Sequence, residues 1–75
     1  MNNDRRKKIA QLVTDLENLR QDIDGIKDEE QDYLDNMPEG LQQGSKGEAA
    51  EAAISLLEDA VTSIEDACEA LQEVE

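Results

Sequence analysis

The sequence predicts an all-α protein, an antiparallel two-helix hairpin that pairs with a second copy into a four-helix bundle. Three observations predict it. Apolar residues recur at sevenfold spacing in two long segments. A stretch holding Pro38, Gly40 and Gly44 separates those segments. The composition is rich in Ala, Leu, Glu, Asp and Gln and holds a single aromatic residue, Tyr33, which favours helices and starves a sheet.

The first helix is expected over about 4–36. Ile9, Leu16, Ile23, Glu30 and Met37 share one heptad position, and Leu12, Leu19, Ile26 and Tyr33 follow three residues later. Val13 and Leu34 widen this face. The other positions carry Asp, Glu, Gln and Lys, as a solvated side requires. Gly25 falls on that side and costs about 1 kcal/mol relative to alanine. Glu30 stands at a core-type position, so it is expected either to lie solvated near the bundle end or to pair with a base such as Lys27 or Lys46.

The turn is expected over about 37–45. Pro38 ends the first helix and opens a short turn that tucks Leu41 onto the bundle end. Ser45 and Glu48 then match a capping box, with the serine as cap and the glutamate reaching back. The second helix follows over about 46–74. Ala50, Leu57, Ile64 and Leu71 repeat every seven residues, as do Ala53, Ala60, Ala67 and Val74. Ile54, Val61 and Cys68 complete the face. The alanine row allows a close approach of helix axes.

One domain of 75 residues has little core of its own, and small folds commonly need a staple. With one cysteine and no histidine the chain has neither a disulfide framework nor the usual zinc ligands. The apolar faces are wider than a two-helix seam requires, so a homodimer is expected. Leu12, Leu16, Leu19, Ile23, Ile26, Leu57, Val61, Ile64 and Leu71 are the expected interface residues.

The formal net charge is −13. It is uneven: Arg5, Arg6, Lys7 and Lys8 form a basic cluster, whereas residues 9–75 hold 19 acids and 3 bases, a balance of −16. Such a field repels nucleic acid and anionic lipid and attracts basic partners. No apolar run suits a signal peptide or membrane span, so a cytoplasmic location is expected.

The acids are ordered. Glu51, Glu58 and Glu65 make one ridge of the second helix, and Asp59, Asp66 and Glu73 make the next. Asp15, Asp22 and Glu29 repeat at the same spacing, about 10.5 Å, on the first. Rows of carboxylates on a rigid rod imitate a nucleic-acid backbone to a protein that reads phosphates with Lys and Arg. The same pattern also serves solubility alone. Arg5, Arg6, Lys7 and Lys8 are an alternative anion site. Asp22, Asp24, Gly25 and Asp28 do not match a calcium loop, which needs its glycine sixth and a glutamate twelfth. No nucleophile, tuned acid pair, metal site or cofactor motif is present, so a non-enzymatic protein is expected.

The stretch from Asp28 to Ala70 resembles a family of small acidic helical-hairpin proteins of phages and prophages of Gram-positive bacteria. The resemblance rests on the Asp35-Asn36-Met37-Pro38 turn, Leu41-Gln42, the restart at Ser45, Leu57 to Ala60 and Ile64 to Ala67. It implies a phage protein acting in the host bacterial cytoplasm, where proteins of this size often block host enzymes or defence systems. The resulting expectation is an inhibitor that binds a basic host protein through its acidic surface. The alternatives are an oligomeric sponge for an anionic signalling nucleotide and a structural or assembly adaptor.

Overall fold

The computed structural model describes residues 2–74, leaving Met1 and Glu75 outside. Among the described residues the fold is all-helical, in the order α1 (Asn3–Asp35), α2 (Glu39–Gln42) and α3 (Ser45–Gln72). α1 and α3 lie antiparallel and in contact along their length. The molecule is a rod of 58 × 15 × 11 Å.

α1 starts where Asn2 caps it. The Asn2 side-chain oxygen accepts a hydrogen bond from the Arg5 backbone N–H at 2.9 Å, satisfying one of the donors that a helix start leaves free. α1 stops because Pro38 has no N–H to donate and disfavours helical geometry in the residue before it. The backbone N–H groups of Asn36 and Met37 close the last turn onto Asp32 and Leu34. Pro38 then precedes the single turn of α2, and its carbonyl accepts from Leu41 and Gln42. Leu41 does not tuck in as expected; it is exposed. Gln42 makes the tie instead. Its side-chain Nε2 donates to the carbonyls of Leu34 and Met37, both at 3.1 Å, adding a second donor to Leu34 and supplying one to Met37 just past the end of α1.

α3 begins one residue earlier than expected. Gly44, in extended conformation, holds the cap position, no side chain bonds to the helix start, and Ser45 is already helical. The expected Ser45–Glu48 capping box is therefore absent. The cause is close packing beside it: Gly47 is buried against the backbone of Gln42, with no room for a Cβ. That contact brings the α3 start up to the end of α2.

The seam between α1 and α3 is thin. Val13, Ala50 and Cys68 are its buried apolar residues, with half-buried Ile9, Leu16, Ile23, Leu34, Leu57, Val61, Ile64 and Leu71 extending it. The Val13–Leu34 row of α1 enters the seam together with the Ile9–Glu30 row. The Leu12–Tyr33 row, of which Leu12, Leu19 and Ile26 are expected at an oligomer interface, faces outward from the hairpin. Two helices in contact cover only an arc of each other's surface, and three heptad rows exceed it. The rows that enter the seam also bring half-buried Arg20, Lys27 and Glu30 with them. Arg20 pairs with Asp24 on its own helix at 3.0 Å, the only ion pair among the described residues. The expected pairing of Glu30 with Lys27 or Lys46 is not formed.

Candidate interaction surfaces

The helix register can be read from two places. The Cys68 thiol points at the Val13 carbonyl oxygen, 4.0 Å away, near one end of the rod. Tyr33 and Lys46 line one hollow with Pro38 and Leu41 at the other end. Between these points the helix period gives the pair two unlike sides.

One side is acidic. Glu17, Arg20, Glu65, Cys68, Glu69 and Gln72 line a groove there. Moving along the rod by heptads, Asp24 follows Glu17 on α1, and Glu58 and Glu51 follow Glu65 on α3. The carboxylates thus flank the seam from both helices, with a repeat of about 10.5 Å. Glu17, Glu51, Glu58 and Glu65 are exposed, and Asp24 is half-buried against Arg20. Asp59, Asp66 and Glu73 stand further round α3, away from the seam. All three are exposed.

Asp15, Asp22 and Glu29 do not join that surface. They are exposed on the opposite flank of α1, one row beyond Leu12, Leu19, Ile26 and Tyr33. The nine acids expected to bind a partner therefore divide between two flanks. The sequence expectations omit Glu17 and Asp24, although their sevenfold spacing with Gln31 marks a row. What the spacing alone lacks is which rows enter the seam, and hence which acids border it.

The other side is apolar. Leu12, Leu19, Ile26 and Tyr33 are 51%, 53%, 53% and 50% exposed. Tyr33 and Lys46 share their hollow across the seam, so the α3 row on this side is the one holding Lys46, Ala53, Ala60 and Ala67. Each large residue of α1 stands beside a small residue of α3. Of the residues expected at an oligomer interface, Leu12, Leu19 and Ile26 face outward, whereas Leu16, Ile23, Leu57, Val61, Ile64 and Leu71 lie in the seam within one chain.

Arg5, Arg6, Lys7 and Lys8 are consecutive and exposed in the first turns of α1. Successive helical residues point about 100° apart, so these four side chains fan around the axis. Arg6 leans over an apolar groove with Ile9, Val13 and Leu71. Among the described residues no three His, Cys, Asp or Glu side chains gather to hold a metal ion. No helix is long and apolar enough to cross a membrane. Compared with protein-family models, curated proteins and solved structures, the chain matches none.

Proposed function

We propose that this chain is a non-enzymatic binding protein of phage type, acting as a two-copy four-helix bundle of hairpins in the bacterial cytoplasm. Its target is a basic, nucleic-acid-binding host protein, and binding blocks that protein. The observation that carries this reading is the exposed row of Glu51, Glu58 and Glu65 beside Glu17 and Asp24, where Arg20, on Asp24, is the one cation in an ion pair among the described residues. Among the described residues Glu17, Glu51, Glu58 and Glu65 have no ion-pair partner, so in a chain of net charge −13 their field is open to a partner. The resemblance of the Asp35–Pro38 turn to small phage proteins supplies the setting.

The test is capture from a bacterial lysate at low and at high salt, with wild type and with a quadruple variant carrying Glu58→Lys, Asp59→Lys, Glu65→Lys and Asp66→Lys. The expected result is a basic protein held at low salt, released as salt screens the charges, and lost in the variant while circular dichroism stays helical. Capture that is insensitive to salt and survives the reversal overturns the reading.

A further inference from the structure

The apolar side of the rod calls for an occupant. For a chain of 8.3 kDa an ordinary folded monomer exposes roughly 4,600 Å², whereas this one exposes 5577 Å². The excess, about 1,000 Å², is comparable with the ~800 Å² that each partner loses in a standard interface. The large apolar residues left exposed include Leu12, Leu19, Ile26 and Tyr33 along one side of the rod, with Leu56 of α3 at its far edge, 68% exposed.

We infer that a second copy of this chain covers this side, with its Leu12–Tyr33 ridge seated on the Ala53–Ala67 row of the first and both connections at the same end of the bundle. This deepens the two-copy reading above and is independent of what the acidic side binds.

Shape gives the first argument. A ridge of large residues beside a furrow of alanines is complementary to itself when the two-fold axis runs along the rod. Each ridge then enters the other copy's furrow, and the interface is isologous. A two-fold axis running across the rod, from one helix to the other, would set ridge on ridge and furrow on furrow. The alanine rows would then face a void, which close-packed interiors do not tolerate.

Charge gives the second argument. Beyond the ridge on α1 comes the row Asp15, Asp22 and Glu29. Beyond the furrow on α3 comes Ala49, Leu56, Ser63 and Ala70, an uncharged row on a helix whose other outward rows are largely acidic. With both connections at one end, each copy's acids run beside the other's uncharged row, and Leu56 is covered by the facing α1. With the connections at opposite ends, Asp15, Asp22 and Glu29 of the two copies would face each other, which costs energy at every pair. The acids of one copy meet an uncharged row in the first arrangement and each other in the second, so the charge pattern favours the first.

Sedimentation equilibrium on the full chain reads the stoichiometry. Twice 8.3 kDa at micromolar concentration is expected; a monomer at 100 µM, or a trimer or larger species, overturns the proposal. Ser63 is exposed and is placed beside the partner's Asp15, so it tests the arrangement without touching either seam. Ser63→Lys is expected to tighten the dimer several-fold and Ser63→Asp to weaken it by a similar factor; equal affinities overturn the proposal. Spin labels supply a readout of geometry. Gly40 is exposed with open space around it, so Gly40→Cys in a Cys68→Ala background accepts a label. Helix axes 8–10 Å apart place the two labels within about 30 Å of each other; a separation near the 58 Å rod length overturns the same-end pairing. None of these measurements involves a host protein, so failure here leaves the acidic-surface reading standing, and loss of lysate capture leaves the dimer standing.

Discussion

The side-chain amide of Gln42 donates to the Leu34 carbonyl at 3.1 Å, binding the connection to the last turn of α1. The same nitrogen also reaches Met37 at 3.1 Å. Gln42→Ala is expected to lower stability by about 1 kcal/mol, since the Met37 carbonyl loses its donor while the Leu34 carbonyl keeps the Met37 backbone N–H. Gln42→Glu keeps the shape but replaces the donor with an acceptor, so it should melt at a lower temperature than the alanine variant. Thermal melts followed by circular dichroism check both; an unchanged melting temperature would mean the tie contributes nothing.

Gly25 and Gly47 both lie inside helices, yet they should respond to alanine in opposite directions. Gly25 is exposed with nothing within 4 Å of an added Cβ. Gly25→Ala should stabilise by about 0.5–1 kcal/mol through helix propensity and a less flexible unfolded chain. Gly47 is buried, and its added methyl would overlap the Gln42 backbone. Gly47→Ala should cost on the order of 1–3 kcal/mol, because backbone has to move to admit it. Urea unfolding of the two variants gives the sign directly.

Helix starts offer another pair. Asn2 caps α1 through its side chain, so Asn2→Ala should lose about 1 kcal/mol. Ser45 makes no capping bond, so Ser45→Ala should stay within about 0.5 kcal/mol of wild type in the same unfolding experiment. A full capping penalty at Ser45 would contradict the observed start of α3.

The Cys68 thiol is buried against Val13. An aromatic disulfide reagent should therefore modify it slowly under native conditions and rapidly in denaturant, with the native rate following opening of the seam. Rapid native labelling would show that this end of the rod is open.

The two long helices and the break at Pro38 were legible in the sequence because heptad spacing and backbone-restricted residues act locally. The choice of rows was not. Leu12 and Val13 are both apolar, and each belongs to a sevenfold row that could face α3. The outcome depends on the partner helix, where Gly47, Ala50 and Cys68 supply small surfaces that admit the Val13–Leu34 row despite Arg20 and Lys27 within it. The acidic rows were legible as spacing but not as surfaces, since the position of Glu65 near Glu17 and far from Asp15 follows only from the seam. The cap at Asn2 and the tie at Gln42 were not legible in the sequence because polar side chains near helix ends have many local partners open to them.

The notch at Gly47 has a consequence for the whole length of the rod. Heptad seams repeat themselves, so one helix can slide past another by a full repeat and still meet apolar residues. Gly47 stands five residues after Gln42, whose side chain is tied to Leu34 and Met37, so a slide of α3 along α1 would have to open this close contact and strain the short connection. The notch therefore acts as an index mark at the connection, and the Cys68–Val13 contact holds the same alignment at the far end of the molecule. The carboxylate strip and the leucine ridge share the one alignment that the short connection and the seam hold between them.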